Sequence, residues 1–575
     1  MEKRVVLAIG LSIGVLLLWS YLFPGPKPPP PQQQQQQAQP TAPAPGTPAP
    51  TTAPGPGGTA AAPAAPGTGA APGAVANRPE QLLEIATPEV RYVFSSLGGV
   101  LVHAKLREKQ FLDDTKDPSS GHDVVRATDV NDAAMRIAFP PESGVQAPAD
   151  GAWSATQPAP DAVTFAADVG NVHIEKRWRV DKARYRLTLE VVVANRGDAA
   201  IGSKLVVSIG GRQDPDKRGG GFFSGVSANI SSALCYVSGN RNPNRIAIEN
   251  LGKESIKDTD GSGNVLWIAA DEKFFLLAAV PSPETPLQNR ICATRATGTD
   301  AGQVTVRFEE RAIAPNAETS YPFIVFAGPK VMDDLEAVQP IAAAAPGAPA
   351  AAAVETHLEK SVDVTLAILS RPILSLMQFF HRFTHNWGLA IVLLTLFIKM
   401  LTFYPTQKSL VSAKKMQKLA PKMAAIRKKY ENDRQRQSVE TMNLYKAHGV
   451  SPFGGCLPSL IQMPIWIALY STLNYAVELY RAPFVAHIHD LTAKDPFYIT
   501  PLVMGGVMFA QMKMSPAGAD PQQQAMMSIM MPIMFTGFSL FLPSGLAVYM
   551  LTSYLFGILQ QLYVNYLDRH GKITV

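Results

Sequence analysis

The stretch WGLAIVLLTLFIKMLTFY, Trp387–Tyr404, decides how the chain is read. It is apolar except for Thr395, Lys399 and Thr402. A helix over these 18 residues would reach about 27 Å, close to the hydrocarbon thickness of a bilayer. The segment therefore predicts a spanning helix with a cation inside it. A lysine in hydrocarbon costs about 3 kcal/mol on insertion scales, so its presence needs a reason. Lys399 lies about 18 Å along the helix from Trp387, in the inner third of the membrane. Snorkelling to the nearby cytoplasmic interface is one reason. A polar groove open to water is the other. Thr395 is one turn earlier on the same face, and Ser459 and Gln462 fall at a similar depth on the next apolar stretch, which favours the groove. No acid in these spans pairs with Lys399, because Glu478 stands at the opposite end of its segment.

Further apolar stretches follow at 456–480, 499–512, 526–542 and 543–564, the last two divided by Pro543-Ser544-Gly545. Residues 361–386 mix apolar side chains with Asp363, Arg371 and Arg382 and predict an amphipathic helix along the membrane surface. The loop 405–455 holds 11 Lys/Arg against Glu431, Asp433 and Glu440, whereas 481–498 is balanced. An excess of Lys/Arg marks the cytoplasmic side. That puts 405–455, the loop 513–525 and the tail 565–575 in the cytoplasm and 481–498 outside. Good helix formers on both sides of Asn432-Asp433 make 405–455 a helical hairpin, ended by Gly449. Its basic face sets topology and is also suited to anionic phospholipids or a ribosome.

At the other end, Val5–Phe23 is an apolar run behind Lys3 and Arg4. It predicts an uncleaved signal anchor over 1–23 with a cytoplasmic N-terminus; the rival is a cleaved signal peptide, whose apolar core would be shorter. Residues 24–80 hold 17 prolines and three charges, too little apolar surface to fold, and read as a disordered Pro/Ala/Gln linker. Residues 81–335 lack a spanning run and show period-2 alternation. In Tyr185–Asn195, Leu187, Leu189, Val191 and Val193 share one face. Val90–Phe94, Leu101–Leu106, Leu266–Ala270 and Val304–Glu309 are further short strands, so an all-β sandwich is expected there, exported between the spans. An Ala/Pro/Gly linker covers 336–360. Only 17% of residues are charged, below the ~25% of a soluble protein, and the net charge of +6 is too small to point to nucleic acid.

Candidate chemistry in the exported domain is thin. His103, His122 and His173 are scattered, no carboxylate pair stands out, and Gly219–Gly221 with Arg212 and Lys217 reads as a solvated loop. Cys235 and Cys292 read as buried thiols that could pair in an oxidising compartment. No metal or cofactor site and no nucleotide-binding glycine loop is expected, and the chain is not read as an enzyme. Nine of the 19 methionines lie between Met504 and Met534, either lipid-facing filler or an adaptable surface for apolar partners.

Several runs are long and specific: LYK at 444–446, VSPFGGCLP at 450–458, LIQMPI at 460–465, APF at 482–484, IHDL at 488–491, DPFY at 495–498, KMSP at 513–516 and FLPSGL at 541–546. They resemble the bacterial YidC membrane protein insertases, densely over 361–567. The resemblance implies five spans around a hydrophilic groove open to cytoplasm and lipid, a β-supersandwich outside, and an inner-membrane location. It implies nascent integral membrane proteins as clients, handled alone or with the Sec translocon. Lys399 matches the family's functional cation, where many members have Arg. Thr395, Gln462 and Tyr549 match groove or substrate-contact positions. Met550 replaces an aromatic found in many members. Some members dock ribosomes through a long basic C-terminal tail; here only Arg569 and Lys572 follow the last span, which does not favour that docking mode. The rivals are a solute transporter, which predicts internal repeats, and a tethered carbohydrate-active enzyme, which predicts paired carboxylates.

Overall fold

The computed structural model describes residues 78–573, apart from 115, 118, 215–229, 257–261, 283–288, 340–354, 363–366, 450–456 and 515–520. The expected anchor at 1–23, the linker up to residue 77 and the Gly219–Gly221 loop lie outside these.

Two large antiparallel sheets form the domain expected over 81–335. The first has eight strands, in the order Leu82–Ala86, Val90–Ser95, Val100–Leu106, Ala134–Ala138, Val206–Arg212, Ala301–Arg307, Arg290–Ala296, Ser262–Gly263. The second has nine, running Asn244–Ala247, Ser232–Val237, Val265–Asp271, Phe275–Pro281, Glu318–Pro329, Arg186–Asn195, Val172–Val180, Ala162–Val169, Ser154–Ala159. Each sheet turns its apolar side chains onto one shared core. In Arg186–Asn195 the predicted face of Leu187, Leu189, Val191 and Val193 is buried, as period-2 alternation requires. Trp178 reaches across to Phe94, ring centroids 5.1 Å apart. Val265–Asp271 is buried on both faces, which is why its run is continuously apolar rather than alternating. Cys235 and Cys292 are both buried, as expected, but they are joined as a disulfide rather than left as thiols.

The stretch read as a linker over 336–360 is pinned at both described ends. Val338 and Leu358 are buried in the domain core, Trp267 Nε1 donates to Thr356 O at 3.0 Å, and Arg245 Nη2 donates to Ser361 O at 2.6 Å. Buried donors on the sheet need acceptors, and Thr356 of this segment and Ser361 just after it supply them.

The C-terminal region is helical: α1 (Ala367–Thr384), α2 (Trp387–Leu401), α3 (Phe403–Lys429), α4 (Arg434–Ala447), α5 (Leu457–Tyr475), α6 (Ile499–Met514), α7 (Pro521–Ser539) and α8 (Ser544–Arg569). Among the described residues α8 is the one helix long and apolar enough to cross a membrane by itself, and α2 with α3 qualifies only as a pair bent by 63°. Length and apolarity therefore do not establish the expected count of six spans. α6 has 16 residues and reaches about 24 Å, while Pro464 and Pro532 interrupt α5 and α7. Asp433 caps α4 by accepting from Arg436 N at 2.9 Å, and Gly449 follows that helix at φ +60°, so the hairpin begins its second arm and ends where its turn residues predicted.

The loop between α5 and α6 docks the exported domain onto the helices. Gln110 Nε2 donates to three carbonyls there, Val477 at 3.0 Å, Glu478 at 3.3 Å and Tyr480 at 3.0 Å. The Tyr480 ring packs among Phe111, Phe274 and Phe275, with centroids 6.1, 5.2 and 5.3 Å away. Arg481 donates to Leu112 O and pairs with Asp113 at 2.5 Å.

Candidate functional site

Asn386 begins the local architecture. Its Oδ1 accepts from Leu389 N at 3.0 Å, capping α2, and its Nδ2 donates to Phe484 O at 3.1 Å, tying that helix start to the α5–α6 loop. Gly388 lets the Phe484 ring lie against the α2 backbone, where a Cβ would collide with it. The same loop is stapled by two carboxylates. Asp490 Oδ1 accepts from Thr492 N at 2.7 Å, and Asp495 Oδ2 accepts from Thr500 N at 2.8 Å and stands 3.0 Å from His487 Nε2. Asp490 O accepts from Ser544 Oγ at 2.7 Å, which fixes the start of α8. The ends of α2, α5, α6 and α8 nearest this loop are thus held together by it.

Below that cap, Ile391, Leu394 and Ile398 of α2, Leu469 and Leu473 of α5, and Tyr549 and Met550 of α8 share one buried cluster. Lys399 follows directly on α2. It is half-buried, and among the described residues its ammonium has neither an ion pair nor a hydrogen bond. Thr395 is fully buried, but its hydroxyl donates to Ile391 O at 2.7 Å and so is spent on its own helix. Gln462 of α5 donates to the Tyr549 hydroxyl of α8 at 2.5 Å, bridging the two helices. Met550 is buried beside Tyr549. The side chain of Ser459 lies outside the described residues. The structure thus joins Gln462 to Tyr549 and places Lys399 and Thr395 on a third helix of the same cluster, with no hydrogen bond between the two pairs among the described residues.

A second polar group sits beyond Lys399, below the bend at Thr402, and sequence reasoning passed over it. Thr406 donates to Thr402 O at 2.7 Å, and Gln560 of α8 donates to Thr406 Oγ1 at 2.9 Å and to Phe403 O at 3.3 Å. The Gln407 amide is shielded from solvent and has no partner among the described residues. A buried amide left unpaired costs about 1–3 kcal/mol, a mark of a place that admits water or a polar guest. The signal available in the sequence was the run Thr402, Thr406, Gln407 just past an apolar span. Further down, Lys414 and Lys418 of α3 pair with Asp568 at 3.6 and 2.6 Å, so part of the basic hairpin clamps α8 instead of standing free.

The sequence has known relatives. A family model of the 60Kd inner membrane protein matches residues 379–570, and one of the YidC periplasmic domain matches residues 82–376. The membrane protein insertase YidC of an Anaeromyxobacter species is 33% identical over 571 residues, covering 97% of this chain and 96% of the relative. That of Geobacter metallireducens is 32% identical over 592 residues, covering 98% of each. A solved structure of an active YidC insertase covers 86% of this chain and 95% of its own at 19% identity, with a TM-score of 0.34. With relatives matched across nearly its whole length, the chain belongs to the YidC family of membrane protein insertases.

Proposed function

We propose that this chain inserts integral membrane proteins into the inner membrane and assists their folding, and that α2, α5 and α8 form the face that does so. The observation that carries the reading is Lys399, a half-buried cation without a carboxylate partner among the described residues, at the inner end of an otherwise apolar helix. A cation kept in such surroundings attracts acidic groups of an entering polar tail. The polar side chains around the bend at Thr402 and the Gln462–Tyr549 pair lower the cost of moving that tail past hydrocarbon. The client's apolar segment then leaves sideways into lipid, driven by burial of its own surface. The process needs no covalent step, nucleotide, cofactor or metal.

In this reading α2 with the start of α3, α5, α6, α7 and α8 are five spans, and an anchor at 1–23 is a sixth. Both termini are cytoplasmic and the sheet domain is periplasmic. The short α6 is accommodated by local thinning of the bilayer. α1 lies in the interface, since Ile368, Phe379 and Phe383 are exposed. The hairpin of α3 and α4 meets the ribosome and anionic phospholipids through its remaining basic residues, and the Sec translocon shares a subset of clients.

Reconstitution of the purified protein in liposomes without a translocon tests this. Protease protection of a small client with an acidic exported tail should appear with the wild type and fall at least about tenfold with Lys399→Glu. Insertion no better than in empty liposomes overturns the proposal. Equal insertion by both proteins retains the insertase and removes Lys399 from its mechanism.

A further inference from the structure

We infer that the outer face of α6 and α7 holds a binding site for one anionic glycerophospholipid, separate from the basic hairpin. The inference takes from the proposed function only that these two helices stand in the bilayer. A cleft of about 380 Å³ runs between them, walled by Leu502, Gly506 and Phe509 of α6 and by Ile529 and Ile533 of α7. This is within the roughly 300–1,000 Å³ of small-molecule sites. The floor is closed where Gly505 meets Thr536, whose hydroxyl is already used on Pro532 O at 2.6 Å, so the cleft offers no free donor to a polar ligand. Gly506 opens into it, with nothing within 4 Å of where a Cβ would stand.

The cation is on the same line. Leu502, Gly506, Phe509 and Lys513 fall at i, i+4, i+7 and i+11, one face of a helix. Lys513 is exposed, its Nζ is 5.5 Å from the Phe509 ring centroid, and among the described residues no carboxylate meets it. An apolar trough with a lone ammonium at its mouth matches an acyl chain with a phosphate at its end. A client helix is the poorer fit. Packed helices keep their axes about 8–10 Å apart, and the Gly505–Thr536 contact closes the trough before a helix could settle into it. An acyl chain is slender enough to enter.

Native mass spectrometry of the full-length protein released from nanodiscs reads this without any client, so its outcome is independent of insertion activity. Discs of phosphatidylglycerol are compared with discs of phosphatidylcholine. The wild type should retain one phosphatidylglycerol about tenfold more than phosphatidylcholine, the scale of one charge-assisted contact. Lys513→Gln should abolish that preference and Lys513→Arg should keep it. Gly506→Leu, which fills the cleft without a clash, should lower retention of both lipids. Equal retention of the two lipids by the wild type overturns the site. A loss with Lys513→Gln but none with Gly506→Leu overturns the cleft and leaves only a surface contact. Capture of client rather than lipid by a photoreactive side chain placed at position 533 also overturns it.

Discussion

Among single residues, Lys176 makes the sharpest prediction outside the membrane region. It is fully buried between the sheets, donating to Gly98 O at 2.9 Å and Met135 O at 2.8 Å. Burial pushes its ammonium down to about 7. An unfolded lysine keeps its proton to about 10.4, so between pH 7 and 10 the unfolded state binds more protons and stability rises with pH. Below pH 7 both states are charged and the full burial cost is present. Denaturant unfolding of the wild type should therefore gain, relative to Lys176→Met, up to about 1.4 kcal/mol per pH unit across that window. Parallel pH profiles for the two proteins would remove Lys176 as the cause. Sequence exposed Lys399 and not Lys176 for a physical reason. A charge in an eighteen-residue apolar run stands out at once, whereas Lys176 breaks the alternation of Val172, Ile174 and Trp178 at a single position, amid the charged neighbours Glu175, Arg177 and Arg179 that mask it. The Gln462–Tyr549 bond was equally hidden, because 87 residues separate its partners.

Secondary elements were legible where local chemistry sets them. Asp433 and Gly449 bracket the second arm of the basic hairpin, and the strand alternation in Arg186–Asn195 named its own buried face. The bend at Thr402 had a signal that went unread: Pro405, in the first turn of α3, has no N–H to give the preceding turn and crowds the carbonyl four residues back, but the apolar run was read straight through to Tyr404. The helix ends near the α5–α6 loop were half legible. The motifs at 488–491 and 495–498 stood out, but not that their carboxylates staple four helices. Gly388 tests that cap. Its Cβ position is occupied by the Phe484 ring, so Gly388→Val forces α2 and the loop apart. Overpacking of this kind costs about 1–3 kcal/mol. Thermal unfolding in detergent should show that loss, and Phe484→Ala in the same chain should recover part of it. An unchanged midpoint for Gly388→Val would mean the loop gives way freely and is not a cap.

The whole molecule is a sheet domain and a helical region of one family, joined by more than a linker. The two N–H groups of the Gln110 side-chain amide are shared among three carbonyls of the α5–α6 loop. Gln110→Ala removes this donor from Glu478 O and Tyr480 O, at about 1–3 kcal/mol for a group left without a partner, while Val477 O keeps Tyr480 N at 3.0 Å. Hydrogen exchange in 477–481 should then quicken at least about tenfold while the sheet core stays protected, and unchanged exchange would mean the domain hangs loosely from its ends. Neither Gln110 nor Tyr480 announced this role, because Gln110 looks like an ordinary surface residue and Tyr480 like the last residue of an apolar stretch until the two meet. That arrival is late. The two are 370 positions apart, and at about 5–20 residues per second a ribosome takes roughly 20–70 s to cover the distance. For that interval Phe111 waits for the tyrosine that will cover it, and Phe274 and Phe275 wait for about half of it. A protein that inserts others is thus exposed, during its own synthesis, to the hazard of the half-made chain.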